Sequence, residues 1–384
     1  VKHISKTPKL KRDGRLLFRP NDEEKIRYKT INREIVKKYH IQVESRNYII
    51  RQIIDIFTQN SENNQVPIMN FTIIRTDINN FFPSINKHKL YQKINRSSIL
   101  SNDVLNILKQ LFFSKSIKGI PLGFPFSNSL AEIYLENFDQ DIFYEFQTKF
   151  YYRYVDDIFI ILYGQSEEDT ELLTNKLKNI FLKYNLNINT EKTKILYFDP
   201  KNNPGANFSV DYLGYKLFVS PISNKKYKLT ISIADKKFDK IKNQISSVFI
   251  EFRNSSHKDE FNIAFWKLYY KLRNILYGIT SYDKNNKKIQ FGLGFTYRYI
   301  DDDSLLNEIV KFILNYCYTV GLYKPEINKI RDLIRFKETS LEIIHKRYDY
   351  TRLTKRQLSE IARNLKIVKE PITVSNIFNI LYKK

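Results

Sequence analysis

The stretch FYYRYVDDIFIILYG (residues 150–164) constrains this chain more than any other. Phe150 to Val155 and Ile158 to Tyr163 are aromatic or aliphatic apart from Arg153, with only Asp156 and Asp157 between them. Such runs predict two short buried strands. Successive side chains on a strand alternate faces, so adjacent carboxylates can serve one site only at a turn. The spacing predicts a tight hairpin with the two aspartates between its strands. Asp-Asp without glycine makes a poor two-residue turn, and charges flanked by apolar strands are costly unless paired or metal-bound. Chemistry is therefore the expected role, with an ordinary turn as the alternative.

A second carboxylate has similar surroundings. Asp77 lies at the end of FTIIRTDI (Phe71–Ile78), which reads as a strand, and precedes NNFFPS, a turn with a proline at a helix start. Its alternative reading is an ordinary aspartate at a helix start. Three carboxylates on neighbouring strands suit one or two magnesium ions, which take oxygen ligands and substrate phosphates. Between them lies GIPLGFPFS, in which Gly119, Pro121, Gly123 and Pro125 make a stiff loop ending at Ser127, the expected helix cap. Amides at such a start can face an anion, but the loop alone signifies only a junction.

The frame recurs in YRYIDDDSLL (residues 297–306). There Leu305, Ile309 and Ile313, with Leu306, Val310 and Leu314 alongside, form a helix face and not a return strand. Asp301 to Ser304 are thus expected at a helix N-terminus, where capping oxygens and negative charge are favourable.

The first 35 residues are polar and basic, with loop signals at RDG and RPND. Helical spacing follows over residues 33–59, then strands alternate with helices to about residue 222, ending in TKILYF and VDYLGYKLFV. Beyond 231 the pattern is mainly helical, and TKRQLSEIARNL opens with a capping box, Thr354 to Gln357. The expected fold class is α+β, with divisions at 1–35, 36–230, 231–330 and 331–384.

The formal net charge is +23 over 384 residues, spread along the chain, which points to a polyanionic partner, nucleic acid above all. An AT-rich genome favouring lysine codons is the bland alternative. The single cysteine, Cys317, excludes a disulfide framework and multi-cysteine zinc sites, and reads as a buried small hydrophobe. No apolar run reaches membrane-spanning length and no secretory leader is apparent, so a cytoplasmic protein with no membrane partner is expected.

Taken in order, these elements resemble the reverse transcriptases: TDINNFFPSI is similar to their first palm motif, GIPLGFPFSNSLAEIYL to the loop-helix motif, YRYVDDIFI to the YxDD hairpin, NINTEKTKIL to the lysine motif and VDYLGYKL to the primer-grip hairpin. The resemblance covers about residues 30–225. It implies a right-hand polymerase, with fingers and a palm of antiparallel sheet packed on helices over 36–230, a helical thumb over 231–330 and a C-terminal helical region. It also implies transfer of deoxynucleotides to a primer end with two Mg2+ ions, or Mn2+ in their place.

The resemblance assigns metal binding to Asp77, Asp156, Asp157 and the carbonyl of Ile78, and stabilisation of the leaving pyrophosphate to Lys192. Phe82 falls at the steric gate against ribose, Pro121, Leu122 and Gly123 at the nucleotide, and Leu213, Gly214 and Tyr215 at the primer end. Arg46, Arg51 and Arg75 are the candidates for gripping the triphosphate. Leu122 departs from the family's usual glutamine, which puts ordinary template use in question. The implied partners are an RNA template or associated non-coding RNA, the DNA product, dNTPs, and an oligomer or partner protein. Within the family the chain looks closest to bacterial phage-defence enzymes, of the retron and abortive-infection kinds. The alternatives are a basic RNA-binding scaffold with a degenerate polymerase fold and an RNA-synthesising palm polymerase.

Overall fold

The computed structural model describes residues 4, 7–12, 15–223, 226–256, 260–283, 287–368 and 371–382. They form two compact units, one of residues 1–61, 65–208 and 220–227, the other of 62–64, 209–219 and 228–384.

The first unit opens with a hairpin, β1 (Lys9–Arg12) antiparallel to β2 (Arg15–Phe18); residues 13 and 14 of the RDG signal lie outside the described residues. The RPND signal is a helix cap. The Asn21 side chain accepts from Glu24 N–H (2.7 Å), and the Glu24 carboxylate accepts from Asn21 N–H (2.9 Å). Helix α1 therefore runs Asp22–Lys38, starting well ahead of residue 36. The helical run expected over 33–59 is broken: His40 is left-handed (φ 50°) and Ser45 caps α2 (Arg46–Thr58). Helices α3 (Lys87–Ser97), α4 (Asn102–Phe112), α5 (Ser127–Phe146) and α6 (Thr170–Lys183) follow along the chain.

At the centre is an antiparallel sheet of β3 (Phe71–Asp77), β4 (Tyr151–Tyr154), β5 (Asp157–Tyr163) and β6 (Lys194–Phe198), in the order β4-β5-β3-β6. The continuous apolar run of β5 follows from cover on both faces. Ile158, Ile160 and Leu162 join the cluster containing Phe138 of α5 and Phe181 of α6. Phe159 points the other way, where Phe57 of α2 meets it (6.4 Å) and stacks on Phe71 (5.2 Å). Period-2 alternation thus fixes the strand register, because a one-residue slip would exchange the two faces.

Strands β7 (Phe208–Tyr212), β8 (Tyr215–Ser223) and β9 (Lys226–Ile233) are successive neighbours in a further sheet. The expected strand VDYLGYKLFV therefore contains its own turn at Leu213 and Gly214, with φ of 48° and 82°. Positive φ at both central residues is what a two-residue I′ hairpin demands.

The second unit is mainly helical, with α7 (Asp235–Ser255), α8 (Phe261–Leu276), α9 (Asp303–Thr319), α10 (Lys324–Leu333), α11 (Lys355–Asn364) and α12 (Val374–Tyr382). It also holds a small sheet that the sequence pattern hid: β10 (Gly278–Tyr282), β11 (Lys288–Phe291) and β12 (Arg347–Asp349), in the order β11-β10-β12. Its strands are too short for a legible alternation, and β12 pairs in parallel with β10 from nearly seventy positions away. Buried Arg273 of α8 stacks on Tyr348 (3.4 Å to the ring centre) and donates to the Tyr350 hydroxyl (3.0 Å). Cys317 is buried, and the Thr354–Gln357 capping box is formed.

YRYIDDDSLL sits here, with its aspartates at the start of α9. Asp302 caps the helix by accepting from Leu305 N–H (3.3 Å), while Asp301 accepts from Ile231 N–H (2.6 Å) and the Asn64 amide (2.9 Å). The architecture is the α+β one expected. Among the described residues no helix is long and apolar enough to cross a membrane.

Candidate active site

The first unit contains a cavity of about 660 Å³ at the end of the central sheet. Asp77, Ile78, Phe82, Pro121, Leu122, Asp156, Asp157 and Lys192 all line it, together with Phe18, Lys118 and Val155. Residues separated by more than a hundred positions are thus gathered by three strands, the Gly/Pro loop, the loop before β6 and the N-terminal hairpin.

The strands set the carboxylate geometry. Asp77 on β3 is the direct cross-strand partner of Asp157 on β5, so both side chains leave the sheet on the same face. The two-residue turn is Val155-Asp156 and not Asp156-Asp157: β4 ends at Tyr154, and Asp157 already pairs with it as the first residue of β5. Val155 makes the turn with φ of 61°, a conformation that a β-branched residue adopts only when its surroundings impose it. Ile78 N–H donates to the Asp156 carbonyl (3.1 Å), which fixes the turn against the end of β3.

The turn is held from behind by Arg153, whose side chain is only 8% exposed. Its five N–H groups are all used. Nε and Nη2 donate to Asp139 (2.8 and 2.7 Å), Nη1 and Nη2 to Glu132 (3.1 and 2.6 Å), and Nη1 also to the Val155 carbonyl (2.9 Å). Burial opposes the charge, but Asp139 and Glu132 outweigh it and hold the guanidinium protonated well above its ordinary range. The arginine beside the aspartates in the sequence is thus a strut for the turn and not a ligand of the site. Its partners could have been found from sequence, since Glu132 and Asp139 lie two helical turns apart on one face of α5.

The aspartates crowd one another. Burial first, then the charge of Asp156, pushes Asp157 up to about 6; Asp77 adds to this, while Arg75 and Lys192 oppose it. Arg75 lies 3.5 Å from the Asp157 carboxylate, which sets it apart from the other triphosphate candidates. Arg51 is engaged with Asp55 on its own helix, and Arg46 starts α2. Asp77 is 4% exposed; Lys192 Nζ donates to its Oδ2, while its Oδ1 is buried without a hydrogen-bond partner.

Around Asp77, the loop before β6 is pinned at several points. Asn189 N–H donates to the Asp77 carbonyl (3.1 Å), Asn79 N–H to the Asn187 carbonyl (2.8 Å), and Arg75 to the Lys192 carbonyl (3.0 Å). Thr193 Oγ1 spends its one hydrogen on the Asn189 carbonyl (2.8 Å), so Thr76 is the donor in the 2.7 Å bond between the two threonine hydroxyls.

The Gly/Pro loop forms another wall. Gly119 has φ of 57°, and a Cβ there would lie 2.2 Å from the Phe82 carbonyl oxygen, to which Ile120 N–H also donates (2.8 Å). Gly123 (φ 102°) abuts the Phe18 carbonyl, and Phe18 N–H donates to the Leu122 carbonyl (2.8 Å). The N-terminal hairpin therefore buttresses the loop, a contact that a basic, polar segment did not advertise. Ser127 does not cap α5. The N-cap position is Phe126, and the Ser127 hydroxyl turns back to the Pro121 carbonyl (2.6 Å), tying loop to helix. Gly123 shapes the loop without lining the cavity.

Leu213, Gly214 and Tyr215 belong to the second unit and do not line this cavity. Gly214 accepts from Ala234 N–H (3.0 Å), and buried Tyr215 donates to the Thr296 carbonyl (3.1 Å) and packs edge-on against Tyr297.

As the side chains stand, no three such ligands form a metal-holding cluster among the described residues. The donor chemistry nevertheless fits a hard divalent cation. All the candidate ligands are oxygens, Asp77 presents a buried oxygen without a partner, and the crowding raises Asp157.

One comparison with known proteins shows the family. The family model described as reverse transcriptase (RNA-dependent DNA polymerase) matches residues 11–217, more than half of the chain. No curated protein matches. Among solved structures, telomerase from Candida tropicalis in complex with a TWJ fragment of telomeric RNA is 13% identical over 90% of this chain and 64% of its own, with a TM-score of 0.41. Apo telomerase from the same organism is 12% identical over 93% and 59%, with a TM-score of 0.39. The Candida albicans telomerase complex is 14% identical over 89% and 56%, with a TM-score of 0.36. The chain thus spans less than two thirds of each, and likenesses this slight carry no argument about it. The family match spans the first palm strand, the Gly/Pro loop, the YVDD hairpin and the lysine loop, and the chain belongs to the reverse transcriptase family.

Proposed function

We propose that this protein is a DNA polymerase of the reverse transcriptase type that adds deoxynucleotides to a primer end. The observation that carries the reading is the pairing of Asp77 with Asp157 across β3 and β5, with Asp156 in the adjoining turn, in a cavity that also contains Phe82 and Lys192. Asp77, Asp156 and Asp157, with the Ile78 carbonyl, would hold Mg2+ or Mn2+. When bound, two such ions lower the pKa of the attacking primer hydroxyl and neutralise the triphosphate.

The chain's own groups would do the rest. Arg75 and the pinned loop keep the Lys192 backbone beside Asp77, from where the ammonium can reach a leaving pyrophosphate and supply its proton. The Phe82 ring narrows the cavity where a ribose 2′-hydroxyl would sit. Pro121 and Leu122 form a wall beside the nucleotide, and Leu122 offers no hydrogen-bonding group there. Leu213, Gly214 and Tyr215 would support the primer end, and the charge of +23 suits an RNA partner and a DNA product. The apolar Leu122 wall and the resemblance to bacterial phage-defence enzymes support a defence role with an associated RNA and products of restricted or untemplated sequence.

Incubation with all four deoxynucleotides, followed by sequencing of the product and of co-purified nucleic acid, tests the reading. DNA synthesis is expected, with the Phe82→Ala variant accepting ribonucleotides more readily. Preferential ribonucleotide incorporation by the wild type would replace this reading with an RNA polymerase, and nucleic-acid binding without any incorporation would leave a scaffold.

A further inference from the structure

Asp157 and Asp77 each meet a basic side chain, and the two contacts are uneven. Arg75 stands 3.5 Å from Asp157, at the edge of ion-pair distance, whereas Lys192 donates directly to Asp77 Oδ2. Asp77 is nearly fully buried and its second oxygen has no partner, so the ammonium is the cation that compensates this carboxylate. A buried carboxylate stripped of its partner is strongly destabilising. The Lys192 side chain is itself about half exposed and hangs from a backbone fixed independently, through its carbonyl to Arg75 and through Thr193 to Thr76. The ammonium can therefore leave Asp77 by rotation of its own side chain, with no movement of the loop.

We propose that Lys192 is the resident counter-ion of Asp77 in the metal-free enzyme, and that a divalent cation binds by displacing it. The exchange conserves charge compensation: the cation takes the Asp77 oxygens, and the ammonium swings into the cavity. Metal loading thereby releases the same group that serves the leaving pyrophosphate, and the two events are coupled through one side chain. The inference rests on the reading of the aspartates as metal ligands.

The test uses Mn2+ alone, without nucleotide, on the whole 384-residue chain, with free Mn2+ counted by electron paramagnetic resonance. Lys192→Met removes the competitor and is expected to tighten Mn2+ binding by about three- to tenfold, a modest factor because the lysine is half exposed. Without metal the variant should melt below wild type, and saturating Mn2+ should close most of that gap. Lys192→Arg, which retains a competing cation, should stay near wild-type affinity and shows whether lost charge or a changed fold is responsible. Equal or weaker Mn2+ binding by Lys192→Met overturns the displacement while leaving the metal site intact. Absence of Mn2+ binding by both wild type and variant overturns the displacement and the metal reading together.

Discussion

Replacing Arg153 with methionine tests how the hairpin turn is held. The guanidinium is buried, satisfies both Glu132 and Asp139 in bidentate fashion, and carries the Val155 carbonyl. Methionine keeps much of the volume but leaves two carboxylates facing each other without a cation. Removing one partner of a buried ion pair costs about 3–5 kcal/mol. Glu132 and Asp139 keep 17% and 23% exposure, so water can reach them in part and the lower end, about 3 kcal/mol, is expected. Urea unfolding followed by circular dichroism reads this as a lower midpoint at unchanged slope. Adding Glu132→Gln and Asp139→Asn should recover much of the loss, because the uncompensated charges disappear. Nucleotide incorporation should remain impaired in the rescued triple variant, whose Val155 carbonyl still lacks its donor. A single variant within about 1 kcal/mol of wild type would refute the argument, since that is the range of an exposed pair.

Three further outcomes follow from contacts elsewhere in the structure. Gly119→Ala sets a Cβ 2.2 Å from the Phe82 carbonyl at a positive φ, so incorporation should fall by an order of magnitude or more, measured against an Asn202→Ala control on the exposed surface. Burial pushes the Cys317 thiol from its ordinary 9.0 up to about 12, so its protonated state favours the fold below pH 9 and that contribution is lost as pH rises from 9 towards 12. At pH 8 a thiol reagent should therefore titrate it only after denaturation. Asp301→Asn keeps one acceptor for two donors at the start of α9, so it should cost about 1–2 kcal/mol of stability and leave incorporation intact in primer extension.

Much of the site was legible because chemistry and periodicity coincide there. The apolar runs about Asp156 and Asp157 could only be buried strands, and the register then sets Asp157 opposite Asp77. The difference between YRYVDDIFII and YRYIDDDSLL was legible for the same reason: a strand follows the first, and the four-residue spacing of α9 follows the second. What was not legible depended on backbone conformation and distant contacts. Nothing in local composition marks Val155 as the left-handed turn residue, since propensity argues against it; the Arg153 strut, the Ile78 bond and packing against the core hold it. Ser127 looked like a cap, yet its hydroxyl found a loop carbonyl six positions back. The parallel pairing of β10 with β12 joins segments that share no pattern, and the role of Phe18 depends on a backbone bond across more than a hundred residues.

The central claim is that the aspartate constellation performs nucleotidyl transfer. Asp156→Asn changes one oxygen for an amide in the turn and removes a negative charge from beside Asp157. Primer extension with deoxynucleotides and Mg2+ should fall to background in this variant, while RNA affinity in a filter-binding assay stays at the wild-type value. Incorporation by Asp156→Asn at the wild-type rate would contradict the account, whatever the family match.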